Sequence, residues 1–160
     1  PVGDELLEKW ETDVIFAARQ PGFACDWTPL WNDSMCAILP QDYPLTGDEF
    51  PIEEFTDKEF LMPYGRFDLD ARAVFEQNGV EPRIRPCYVD DETVIRMVGK
   101  GLGLSMMAEM MIRGKLTGVK TLPVRPCVSR ELGMGLHPRE QLPPGISRLR
   151  ECVLEYIGEL

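Results

Sequence analysis

Apolar positions fall at two different spacings along the chain, and their alternation predicts its elements. Val94, Ile95 and Val98 recur at i, i+1 and i+4, the stripe of a helix facing a core, and the run Leu102–Met107 that follows reads as a short buried strand. Asp90 or Asp91 is placed to cap that helix, Glu92 complements its dipole, and Gly99 and Gly101 stop it. The same alternation extends in both directions. Asp4–Glu11 reads as the last part of a helix with Leu6, Leu7 and Trp10 on one face, and Asp13–Arg19 as a buried strand. Ser34–Leu39 is a strand bounded by prolines, which cannot sit in a central ladder. Residues 46–58 form an acidic loop with one helical turn at Ile52–Phe55, and Phe60–Met62 is the next strand. Asp68–Asn78 is a helix capped by Asp68 and ended by Gly79, followed by a strand over Arg83–Val89. A methionine-rich helix over Glu109–Lys115 then precedes strands at Val119–Pro123 and Arg130–Leu136. Ile146, Leu149, Val153, Tyr156 and Ile157 share one stripe of a final helix. Strands alternating with helices predict an open, mostly parallel α/β sheet.

Composition narrows what such a sheet can serve. At 160 residues with 44% hydrophobic content, a single compact domain would bury roughly 70% of its unfolded surface. No apolar run approaches the ~18 residues of a membrane span, and no basic-then-apolar leader is visible, so no membrane partner is expected. The net charge of −10 is uneven, because residues 1–60 hold 14 acidic and 3 basic side chains while the rest hold 13 and 14. No segment offers the clustered Lys and Arg that displace counterions from phosphate, so this chain alone is not expected to bind nucleic acid. Five widely spaced cysteines without CxxC or Cys/His clusters argue against disulfides and zinc, and for reduced buried thiols in a cytosolic protein.

Catalytic chemistry finds little support. His137 beside Pro138 has no GxSxG elbow or cysteine partner near it in sequence, and Gly99–Gly103 is not GxGxxG. No GxxxxGK and no metal-ligand spacing occur, so no cofactor and no metal are expected. Asp90 and Asp91 are explained as helix caps before they are explained as an acid–base pair, and Met106, Met107, Met110 and Met111 as core filling. What remains is binding at strand-to-helix junctions, where helix N-termini present free N–H groups at the carboxyl ends of strands. Two junctions stand out, Met62–Phe67 and Val89–Asp91, and at the first Tyr64 and Arg66 suit a small organic anion.

The order of these segments resembles a known family. Asp13-Val-Ile-Phe-Ala-Ala18, Pro29-Leu-Trp31, Ala37-Ile-Leu-Pro40 with Tyr43-Pro-Leu45, and Asp90–Val98 with Gly101-Leu-Gly-Leu-Ser105 are similar to the effector-binding domain of LysR-type transcriptional regulators. The resemblance spans about residues 5–157. It implies a type 2 periplasmic-binding-protein-like α/β fold, with two Rossmann-like subdomains, joined by two crossover strands, holding a small-molecule effector in a cleft. Residues 1–17 and 125–160 would form subdomain I and 18–124 subdomain II, with crossings near Ala17–Arg19 and Leu122–Arg125. Effector contacts would come from Met62, Pro63, Tyr64, Gly65 and Arg66, and near the hinges from Ala18 and Arg19. Met107-Ala108 stands where the family often has Leu-Pro. The family's first strand-helix-strand, its linker helix and its winged helix-turn-helix have no counterpart here, so the chain is expected to be an N-terminally truncated effector domain with subdomain I incomplete. The implied function is sensing of a small, anionic metabolite by a cytoplasmic homodimeric or tetrameric regulator that reaches DNA through the missing winged helix. Two alternatives share the fold: a solute-binding protein of a transporter, and an enzyme related to prephenate dehydratase or porphobilinogen deaminase. No motif of either enzyme is visible, and none of the chain is expected to be catalytic.

Overall fold

The computed structural model describes residues 7, 9, 11–20, 22–63, 67–114, 118–137 and 143–158. Its strands are β1 (Val14–Ala18), β2 (Asp26–Pro40), β3 (Phe50–Pro51), β4 (Glu59–Pro63), β5 (Arg83–Cys87), β6 (Ser105–Ala108), β7 (Val119–Arg125) and β8 (Ser129–Leu136). Its helices are α1 (Phe67–Asn78), α2 (Asp91–Gly99), α3 (Glu109–Ile112) and α4 (Pro144–Gly158), with a 3-10 turn at Ile52–Phe55. Element order and type follow the hydrophobic pattern apart from β3, which falls in the stretch expected to be an acidic loop. Most of the expected opening helix lies outside the described residues, although Leu7 is helical and 2% exposed.

The chain divides into two compact units. Residues Pro1–Asn32 and Glu131–Leu160 form the first, and Asp33–Arg130 the second. β2 and β8 each run through a division point, at Asn32–Asp33 and at Arg130–Glu131.

In the first unit β1 pairs antiparallel with β8, Val14 opposite Leu136 and Ala18 opposite Leu132. β1 is only half-buried, and Phe16 is 58% exposed, so its apolar run marks a strand but not a buried one. Trp27–Trp31 belongs to the 15-residue β2, which starts well before the Ser34–Leu39 strand read from the sequence. Pro29 removes one donor from that strand, whereas Trp27, Thr28 and Trp31 favour an extended backbone, and the extended preference prevails.

The second unit is built on mixed pairing, not the mostly parallel sheet expected. β2 pairs antiparallel with β6 and with β7, β3 parallel with β7, and β4 parallel with β5. Helical crossovers forecast parallel neighbours, but among the described residues no helix separates β1 from the long β2, and β6 and β7 return against β2. Two apolar clusters lie in this unit. The larger gathers Phe50, Phe55, Phe60 and Phe75, whose ring centroids lie 4.6–5.4 Å apart for the pairs in contact. The smaller packs Val94, Ile95 and Val98 of α2 against Ile38, Leu61, Met107 and Val119. The stripe read from the sequence is thus the buried face of α2.

Local chemistry explains the ends of α2. Asp90 is its cap, accepting the Thr93 N–H at 2.8 Å. Gly99 is its last residue, not its stop, and Gly101, at φ +73°, makes the turn that follows. Gly103 lies so close to β4 that an added Cβ would stand 2.8 Å from the Glu59 carbonyl oxygen.

Candidate functional site

The carboxyl ends of β4, β5 and the Leu104–Ala108 stretch gather at one side of the second unit. Pro63 pairs with Cys87 in the parallel β4–β5 ladder, and Leu104 bridges Phe60 in parallel through Leu61 N–H to Leu104 O and Leu104 N–H to Glu59 O, both 2.8 Å. Buried Ser105 fixes the spacing by donating its hydroxyl to the Leu61 carbonyl at 2.8 Å. α2 begins beside these ends at Asp91. A helix entering there carries a partial positive charge at its start, and the Asp90 cap already takes up the Thr93 N–H.

A small opening lies at this junction, lined by Met35, Pro63, Asp91, Met106, Met107, Ala108, Met111 and Arg130. Its volume is about 10 Å³, space for about one water. Four thioethers make one wall soft and adaptable, while Asp91 and Arg130 supply charge of both signs. Three of the four methionines expected as core are indeed buried or packed on the core, but Met110 is 51% exposed. α3 is shorter than the expected Glu109–Lys115, ending at Ile112, and Lys115 lies outside the described residues.

Arg130 is held from behind. Asp33, 1% exposed, accepts Nε at 3.0 Å and Nη2 at 2.7 Å through one oxygen, Oδ2. Its other oxygen, Oδ1, accepts the Met110 N–H at 3.0 Å. No sequence signal singled out this pair, because its members are 97 residues apart and neither belongs to a motif. Beside it, burial and the carboxylates of Glu109 and Asp33 push the Cys36 thiol up to about 11.

The residues expected to meet a ligand fall in different places. Met62, 1% exposed, has its side chain in the larger core cluster, and Pro63 lines the opening. Tyr64, Gly65 and Arg66 lie outside the described residues. Ala18 ends β1 in the first unit. There the Arg19 N–H donates to the Glu131 carbonyl at 2.8 Å and the exposed Arg19 guanidinium to the Glu131 carboxylate at 3.3 Å. Trp27 Nε1 donates to the same carboxylate oxygen at 2.7 Å. Of the second junction, Asp91 reaches the opening while Tyr88 and Val89 are exposed. Among the described residues no group of three or more His, Cys, Asp or Glu is arranged to hold a metal ion. All five cysteines are free, yet Cys127 and Cys152 are exposed, so burial describes only Cys36 and Cys87 fully.

Residues 4–158 match the family model described as the LysR substrate binding domain. The chain belongs to that family. It is 22% identical over 161 residues to the HTH-type transcriptional regulator YybE of Bacillus subtilis (strain 168), covering 97% of this chain and 54% of that protein. The chain thus spans about half the length of this relative. In structure it is similar to the BenM effector binding domain with its effector benzoate, at a TM-score of 0.85 and 17% identity over 99% of this chain and 75% of that one. It is also similar to the effector binding domain of QuiR in complex with shikimate, at a TM-score of 0.80 and 15% identity over 97% and 76%. These likenesses establish the type 2 periplasmic-binding-protein-like α/β fold of LysR substrate binding domains. Among the described residues, no helix of this LysR domain is long and apolar enough to cross a membrane.

Proposed function

We propose that this LysR substrate binding domain is the effector-sensing part of a transcriptional regulator and that its effector is a small carboxylate. The observation that carries the reading is the junction where Pro63, the start of α2 at Asp91, and Arg130 line one opening. Helix N–H groups and a guanidinium are both suited to a carboxylate. Benzoate and shikimate, the ligands of the two structural neighbours, are carboxylates as well. The family match favours this reading over the solute-binding protein of a transporter, and the relative YybE is described as an HTH-type transcriptional regulator.

In this reading the effector contacts are Pro63, Tyr64, Gly65, Arg66, Asp91 and Arg130, with Met62 shaping the strand end and Ala18 and Arg19 contributing near the crossings. Subdomain I comprises 1–17 with 125–160 and subdomain II 18–124. The compact units assign residues 18–32 and 125–130 the other way, and the crossings of this reading, near Ala17–Arg19 and Leu122–Arg125, border those stretches. An effector acts by contacting one arrangement of the subdomains better than another, which shifts their populations and thereby the packing of a homodimer or tetramer. DNA contact belongs to a winged helix-turn-helix outside this chain, and the assembly works in the cytoplasm without a cofactor.

The test is a thermal-shift titration of this chain and of a longer one carrying the preceding residues, with benzoate, shikimate and a panel of small carboxylates. A binder raises the melting temperature in step with the logarithm of its concentration. Arg66→Ala and Arg130→Gln should each weaken that rise. Absence of any shift with either well-folded chain across the panel would overturn the carboxylate-sensing reading.

A further inference from the structure

Arg130 and Glu131 are consecutive on β8, and the boundary between the two compact units falls between them. Glu131 is engaged in the first unit by Arg19 and Trp27, and Arg130 in the second by Asp33. The second of these engagements is the unusual one. Asp33 is 1% exposed and the Arg130 side chain 13%, so both charges have been taken largely out of water. Stability alone does not account for that, since a well-packed apolar pair of similar volume is often as stable as a buried ion pair. The pair differs from an apolar one in direction. Nε and Nη2 of Arg130 both meet Oδ2, and the Met110 N–H meets Oδ1, so a single carboxylate ties β8 directly to the start of α3.

Those two elements contribute Arg130 and Met111 to the wall of the opening, and β6, which runs into α3, contributes Met106, Met107 and Ala108. Arg130 lies on β8 at the point where the chain leaves the second unit, and Met110 lies in the first turn of α3, between Ala108 and Met111 of the lining. We propose that Asp33 is a positioning residue of this site: its two oxygens hold the Arg130 guanidinium and the β6–α3 corner in one fixed relation, so that Asp33 sets the direction from which Arg130 meets a ligand. Its placement is independent of what the opening binds; only the consequence for an anion rests on the carboxylate-sensing reading. The charge balance fits the assignment. A guanidinium already matched by a carboxylate contributes shape and directed donors more than raw attraction, which is the property a selective site uses.

The hydrogen exchange of two N–H groups reads the two arms separately: the Met110 amide and Arg130 Nε–H, followed by nitrogen-15 NMR on the whole chain. Asparagine offers one acceptor oxygen where aspartate offers two, and its NH2 would face a donor. Asp33→Asn should therefore keep the Met110 amide protected while Arg130 Nε–H exchanges at least about tenfold faster, the loss expected for one charge-assisted hydrogen bond. Asp33→Ala should release both. Ile38→Val, a core change at a position 0% exposed, supplies a variant of lowered global stability that leaves both groups protected relative to the rest of the core. The proposal is overturned if Arg130 Nε–H exchanges in Asp33→Asn as it does in the unaltered chain. It is equally overturned if Ile38→Val, at matched stability, speeds both groups as much as the Asp33 substitutions do. Should Asp33→Ala not fold, Asp33→Asn and the Ile38→Val control decide the matter. Because exchange is measured without ligand, a negative thermal-shift panel would leave this result standing, and a negative exchange result would leave carboxylate sensing untouched.

Discussion

Asp33 and Arg130 are 97 residues apart in sequence and 2.7 Å apart in the fold, both of them at the limits of the second compact unit. Removing Arg130 leaves the Asp33 charge buried without the guanidinium that matches it. Arg130→Leu should therefore cost about 3–5 kcal/mol, whereas Asp33→Leu together with Arg130→Leu should recover much of that loss. Urea denaturation midpoints of the two single variants and the double variant check this. Near-additive losses would mean that the pair is not energetically coupled.

Asp90 gives α2 a pH-dependent start. Its hydrogen bonds from Thr93, first from the backbone N–H and then from the hydroxyl, hold its carboxyl below the usual range. A folded-state value below the unfolded one stabilises the fold above the unfolded pKa of about 4, and that contribution is lost as pH falls through the folded value. Asp90→Ala should accordingly lower the melting temperature at pH 7 and make little difference at pH 2. Equal losses at both pH values would rule out the charged cap.

Gly103 permits Leu104 to pair with β4. A Cβ there would meet Glu59 O at 2.8 Å and Leu61 Cγ at 3.0 Å, and the first of these is backbone that cannot swing aside. Gly103→Ala should lower stability by about 2 kcal/mol or more through this overlap, within the range of overpacking. Gly145→Ala, with nothing within 4 Å, is the control expected to be near neutral by the same denaturation measurement.

Phe55 touches Phe50, Phe60 and Phe75 and is 0% exposed. Phe55→Ala should cost about 3–5 kcal/mol, the usual loss for a large aromatic removed from a packed core. Calorimetry that found less than about 1 kcal/mol would mean that the cluster refills the space, contrary to the close packing of interiors.

Thiol reactivity should separate the cysteines into classes. Cys127 and Cys152 are exposed, while Cys36 is buried with its thiol raised to about 11, so it stays protonated at pH 8. Brief iodoacetamide treatment followed by mass spectrometry should label Cys127 and Cys152 first, and Cys36 and Cys87 only on unfolding. Because folding raises the Cys36 value, the folded state binds more protons than the unfolded one above the unfolded thiol value, and stability falls as pH rises from about 9 towards 11. Cys36→Ala should flatten that fall.

Local signals carried most of the elements. The Val94, Ile95 and Val98 stripe, the Asp90 cap and the Ile52–Phe55 turn need only a few neighbouring residues to be specified, and all three occur in the structure. The family was legible for a related reason, since segment order along the chain does not require knowing which strands pair. Pairing is where local reasoning ended. Whether a strand is parallel or antiparallel depends on which distant segment returns beside it, so β2 could be read as extended in part but not as the strand on which β6 and β7 meet. The candidate site divides along the same line. Pro63 and Asp91 were accessible because each stands at a strand-to-helix junction visible in sequence, and Arg130 was not, because its role comes from a carboxylate 97 residues away. The sequence by itself determined the elements, the buried face of α2 and the family. Only the tertiary structure decided the mixed sheet, the Asp33–Arg130 pair and the residues that share the opening, because burial and ion pairing are properties of neighbours in space.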